Sequence, residues 1–140
     1  MILIDTNVLS EARRGSTEAL AALDRYASNE LFISVVTITE LEAGCSVRSD
    51  VEARRALSRW IDTTIVSFSD RILPVDLAMA RLWGDLDGRL HRQGDPIDAY
   101  DGFIAATALY HELDVMTRNV RHFERTGVQI VDPWGAESLT

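Results

Sequence analysis

The stretch Ile2-Leu-Ile-Asp-Thr-Asn7 decides the fold. Three consecutive apolar residues, two of them β-branched, read as a short strand buried on both faces, and an acid follows at once. Comparable apolar runs recur at Leu31–Ser34, Val115–Thr117 and Gln129–Val131, and Ile65–Phe68 reads as a further strand. Between them, apolar residues at helical spacing predict helices over Val8–Arg14, Glu18–Ser28, Val36–Ala43 (stopped by Gly44), Val51–Ile61, Pro74–His91 and Asp98–Leu113. The last of these is apolar around most of its circumference and is expected to be largely buried. Short apolar strands alternating with helices predict an α/β fold, with a central parallel sheet of four to five short strands covered by helices on both faces. In such sheets ligands gather beyond the carboxyl ends of the strands. Asp5 and Asn119 each follow a strand and fall on that edge.

Length and composition narrow the class. The 140 residues are expected to form a single domain, with 46% apolar and 26% charged residues. No apolar run approaches the roughly 20 residues that span a membrane, and Asp5 interrupts the first run too early for a secretory signal. The single cysteine, Cys45, allows no internal disulfide, so a cytoplasmic location is expected. Net charge is −8, and all 14 basic residues are arginine. That balance argues against a simple polyanion binder, but suits a basic protein partner or a nuclease whose acids are neutralised locally by metal. The three histidines lack zinc-ligand spacing, and no glycine-rich phosphate loop is present.

Four separated oxygen-bearing side chains carry the chemistry: Asp5, Glu40 in Thr37-Ile-Thr-Glu-Leu-Glu-Ala-Gly44, Asp101 in Asp101-Gly-Phe-Ile-Ala-Ala106, and Asn119 in Thr117-Arg-Asn119. Each adjoins an apolar segment in which an unpaired charge is costly. Each also has a structural reading. Asp5 can cap the following helix. Thr37 and Glu40 match a capping box. Asp98 can be an N-cap with Asp101 in the first turn, and Asn119 can be a turn residue. If the acids converge, their repulsion calls for a hard divalent cation with oxygen ligands.

These segments resemble the PIN-domain family, and within it the VapC-type toxins of toxin–antitoxin modules, in particular the FitB-like group. The resemblance rests on Ile2 to Glu11, Ser34 to Gly44, Asp101 to Ala108, Val115 to Phe123 and Val131-Asp-Pro-Trp134, in the family's order along nearly the whole chain. It implies a three-layer α/β/α fold and an endoribonuclease dependent on Mg²⁺ or Mn²⁺ that leaves 5′-phosphate and 3′-hydroxyl ends. It also implies a homodimer, neutralised by a VapB-like antitoxin that is expected to be basic and DNA-binding. Asp5, Glu40 and Asp101 match the family's three invariant acids and are the implied metal-holding and catalytic residues. Asn119 stands where many members have a fourth acid, keeping an oxygen donor while losing a charge. Thr6 and Thr117 match hydroxyl positions near the metal, and Asp98 is an additional acid. Two other readings compete. A haloacid-dehalogenase-like phosphatase also begins with a strand and an Asp, but needs a second carboxylate where this chain has Asn7. A catalytically silent acidic binding module would keep the acids without hydrolysis.

Overall fold

In the computed structural model, which describes residues 1–135, five parallel strands form one sheet in the order β3-β2-β1-β4-β5. The strands are β1 (Ile2–Ile4), β2 (Leu31–Ser34), β3 (Ile72–Leu73), β4 (Asp114–Met116) and β5 (Ile130–Val131). Seven α-helices connect them: α1 (Thr6–Arg13), α2 (Thr17–Asp24), α3 (Val35–Ser46), α4 (Val51–Ser67), α5 (Leu77–Arg92), α6 (Ala99–His111) and α7 (Val120–Glu124). Among the described residues no helix is long and apolar enough to cross a membrane.

Alternation along β1 divides the interior. Leu3 faces a core with Met79, Trp83, Leu90, Ile104 and Phe123, whereas Ile2 and Ile4 face Val8, Leu9, Ala19 and Ile33 on the other side. The sheet is therefore covered on both faces, giving the expected three layers. A third cluster of Leu41, Cys45, Leu57 and Ile61 joins α3 to α4. Cys45 is buried there, its thiol donating to the Arg54 carbonyl at 3.3 Å.

Strand order places the site. β1 has β2 on one side and β4 on the other, in register Leu3 with Phe32 and Leu3 with Val115. The chain builds outward from β1 through β2 to β3, then crosses back to β4 and β5. The switch in direction lies between β1 and β4, where a crevice opens at the strands' carboxyl ends.

Four local expectations are corrected. Ile65–Phe68 is not a strand: its first three residues end α4, whose buried positions Leu57, Ile61 and Thr64 keep helical spacing. The third strand is instead Ile72–Leu73, held beside β2 by the Arg71 side chain, which donates to the carbonyls of Leu31 and Ser67. Thr37 and Glu40 form no capping box, because α3 is capped three residues earlier by Ser34, whose hydroxyl accepts the Val36 N–H at 3.0 Å. Helix α3 passes through Gly44 to Ser46, and α5 starts at Leu77 with Asp76, not Pro74, as its cap.

Helices α5 and α6 approach closely at Gly102, where an added Cβ would lie 2.4 Å from ring atoms of Trp83. This contact seats the first turn of α6, which carries Asp101. Gly102→Ala is expected to destabilise the protein by about 1–3 kcal/mol through overpacking. The checking measurement is a lower urea midpoint with an unchanged m-value.

Candidate active site

Asp5 leaves β1 and caps α1, so its position is fixed twice. Its N–H donates to the Met116 carbonyl at 2.9 Å, extending the β1–β4 pairing by one step. Its carboxylate is only 2% exposed and accepts from three donors: the Thr6 N–H at 2.8 Å, the Thr117 hydroxyl at 2.8 Å and the Asn7 amide at 3.1 Å. Thr117, just past β4, in turn accepts the Asn119 N–H at 2.9 Å. The Asn7 carbonyl oxygen accepts the Arg118 N–H at 3.2 Å. Cap and site acid are therefore the same side chain. Asn7 is an amide with both ends engaged, which removes the acid–base partner that a phosphatase would need there.

Glu40, on the second turn of α3, is half-buried and accepts from the Thr6 hydroxyl at 2.8 Å, with Thr37 Oγ1 3.2 Å from the same hydroxyl. Asp101 occupies the first turn of α6, is 6% exposed, and donates its N–H to the N-cap Asp98 at 3.0 Å. The cap expected of Asp98 is present, and Asp101 is nonetheless turned toward the other acids. Asn119 precedes α7 without using its side chain as a cap. Asp5, Glu40, Asp101 and Asn119 all line one cleft of about 290 Å³. Residues 5, 40, 101 and 119, distant in sequence, thus converge at the β1/β4 switch point.

Electrostatics follow from that convergence. Burial pushes the Asp5 carboxyl above its ordinary range, against the lowering effect of its donors, and the charge of Asp98 adds to the rise. Burial likewise raises Glu40, with Asp5 and Asp98 contributing repulsion. Asp101 is pushed up to about 7 by burial first, then by Asp5 and Asp98, although a hydrogen bond with His122 pulls the other way. Arg14 lines the cleft but is exposed and paired with Glu11, so among the described residues the acids have no buried counter-charge, and their hard oxygens fit a divalent cation such as Mg²⁺ or Mn²⁺. Among the described residues the ligand atoms close enough to share an ion are those of Asp98, Asp101 and His122, and Asp5 and Glu40 line the same cleft as Asp101.

Sequence reasoning overlooked His122. Its Nδ1 lies 2.7 Å from Oδ2 of Asp101, and the ligating atoms of Asp98, Asp101 and His122 lie within 4.8 Å of one another. The available signal was its place in the segment after β4 that also supplies Asn119. Helix α7 was not foreseen, so the turn that aims His122 at Asp101 could not be deduced.

A three-layer parallel α/β protein with an acidic cleft at its switch point is the class that fold and site define. The chain belongs to the PIN domain family, whose model matches residues 2–129. It is similar to the VapC ribonuclease Y4jK of Sinorhizobium fredii, with 33% identity covering 96% of this chain and 98% of that protein. Toxin FitB of Neisseria gonorrhoeae is 34% identical, covering 96% of this chain and 99% of that protein. A solved structure of FitAB bound to an IR36 DNA fragment matches with TM-score 0.88 and 31% identity, covering 96% of each chain.

Carboxyls with raised proton affinity in the folded state make cation-free stability fall with pH. Between about 4, where unfolded carboxyls ionise, and the value of about 7 for Asp101, the folded chain holds protons that the unfolded chain has released. Stability therefore declines over that window and flattens above it. In urea titrations without metal, wild type is expected to lose stability relative to Asp101→Asn from pH 4.5 to 7.5, about that window. Added Mn²⁺ should restore more stability at the upper end than at the lower. A pH-independent difference between the two proteins would contradict this electrostatic picture.

Proposed function

We propose that this chain is a divalent-cation-dependent endoribonuclease acting as the toxin of a type II toxin–antitoxin pair, with Asp5, Glu40, Asp101 and Asn119 as its active site. The observation that carries the reading is the meeting of three carboxylates of raised proton affinity in one cleft at the sheet's switch point. The similarity to a VapC ribonuclease and to a FitB toxin supports the reaction class.

When bound, Mg²⁺ or Mn²⁺ supplies positive charge that activates water and offsets charge on the leaving oxygen of a phosphodiester. Asp5, Asp101 and Glu40 would hold the ion. The chain's own residues do the rest. Thr117, Asn7 and the Thr6 N–H lock the Asp5 carboxylate in one orientation, so little reorganisation is needed at the moment of reaction. Glu40, with one oxygen tied to Thr6, orients the attacking water. His122, 2.7 Å from Oδ2 of Asp101, fixes the rotamer of that carboxylate. Asn119 offers a neutral oxygen where a fourth acid would add charge, which favours a single strongly held cation.

The same reading includes a partner. A chain of net charge −8 suits a basic antitoxin, and the FitAB structure on DNA supports a DNA-binding one. Homodimerisation belongs to the proposal too, with α4 and α5 as the candidate faces and Leu77, 75% exposed, as a contact.

The test is hydrolysis of single-stranded RNA by the purified chain. EDTA should abolish cleavage and excess Mg²⁺ should restore it. Asp5→Asn and Asp101→Asn should each slow cleavage by roughly 10²–10⁴-fold, as expected for loss of several kcal/mol of charge stabilisation. Sequencing of the fragment ends should give 5′-phosphates. Cleavage that persists both in EDTA and in Asp5→Asn would refute the mechanism.

A further inference from the structure

A second groove adjoins the acidic cleft and has the opposite character. It encloses about 120 Å³ between α1, α3 and α4. Thr6, Ser10, Arg14 and Glu40 line both cavities, so the two are continuous. Away from the acids its walls carry Arg13, Arg48, Leu57 and Trp60. Three guanidiniums, those of Arg13, Arg14 and Arg48, meet there with the single carboxylate of Glu40.

Their bonding is uneven. Arg14 is paired with Glu11 at 3.1 Å. Among the described residues Arg13 and Arg48 have no carboxylate partner within ion-pair distance. Arg13 lies over the Trp60 ring, its guanidinium carbon 5.7 Å from the ring centroid. Both arginines are exposed and Trp60 is half-buried. Exposed guanidiniums beside an aromatic wall match what single-stranded nucleic acid asks for: charge for phosphates and a flat apolar surface for a base. On a surface with net charge −8, a polyanion needs such a local positive concentration to reach the acids at all.

We propose that this groove is a subsite for single-stranded RNA, in which Arg13 and Arg48 take phosphates flanking the bond to be cut and a base rests against Trp60. The proposal rests on the nuclease reading and adds to it the path of the strand, from the acidic cleft across α1 toward the start of α4. An acidic peptide segment could meet the same charges, but continuity with the acidic cleft and the aromatic wall favour a nucleotide chain.

The test measures binding of a short 5′-labelled single-stranded RNA by fluorescence anisotropy in EDTA, across a salt series. The proteins are wild type, Arg13→Gln/Arg48→Gln and the charge-matched control Arg55→Gln/Arg59→Gln on the exposed face of α4. Circular dichroism melts verify folding of each. The groove variant should bind about 30-fold more weakly. Its salt slope should fall by about 1.4, at about 0.7 per lost contact on a single strand. The control should stay within about threefold of wild type. With Mg²⁺, the groove variant should raise KM and largely preserve kcat. Wild-type RNA affinity in the groove variant, an equal loss in the control, or a loss seen only for a Glu-rich peptide measured in the same assay would each overturn the proposal. If wild type cuts RNA in Mg²⁺ while the groove variant keeps full affinity, only the subsite is lost. If wild type neither binds nor cuts, the nuclease reading itself falls.

Discussion

The structure depends on a buried carboxylate that the fold needs and electrostatics resists. Asp5 sits where β1 ends, donates its N–H into the β1–β4 pairing and accepts the first free N–H of α1. Substituting an apolar residue would leave the Thr6 N–H and the Thr117 hydroxyl without their acceptor, so a polar acceptor belongs at this junction. Full ionic charge there is a different matter, because burial and the neighbouring Asp98 both disfavour it. The fold supplies three neutral donors, enough to orient the group and too few to neutralise it. That residual demand for positive charge makes the crevice between β1 and β4 compatible with a bound cation.

The remaining acids deepen the demand from other layers. Glu40 reaches the cleft from α3, through a hydroxyl bridge to the residue that follows Asp5. Asp101 reaches it from the buried helix α6, held in place by the close fit of Gly102 against Trp83. His122 lies against Asp101, its Nδ1 2.7 Å from Oδ2 of that carboxylate. The adjoining groove adds the guanidiniums of Arg13 and Arg48, with Arg14 on the wall that groove and cleft share. An arginine-lined approach beside an acidic, cation-demanding cleft would let an overall acidic chain engage a polyanion.

What the sequence disclosed followed physical strength. β1 was legible because three apolar residues ending at an acid leave few alternatives, and the parallel topology followed from strands spaced by helices. The convergence of Asp5, Glu40 and Asp101 was reached through resemblance, since no single spacing dictates it. Failures arose where local patterns had two solutions. Ile65 to Phe68 is rich in β-branched and aromatic residues, yet Leu57, Ile61 and Thr64 extend a buried helical stripe into it, and packing overrode propensity. Thr37 and Glu40 have capping-box spacing, but Ser34 had already capped the helix, which freed Glu40 for the cleft. β3 was invisible because two residues leave no periodicity, and its place is set by Arg71 bridging across carbonyls. His122 and the arginine groove depend on helix orientations that no linear spacing encodes.

The most direct test of the central claim is an anomalous-scattering map from crystals of this chain grown with Mn²⁺. One strong peak is expected in the crevice between β1 and β4, about 2–2.5 Å from carboxylate oxygens of Asp5 and Asp101 and vanishing in Asp5→Asn. A wild-type map without a peak at these carboxylates, at saturating Mn²⁺ and pH above the range in which Asp101 is protonated, would contradict it.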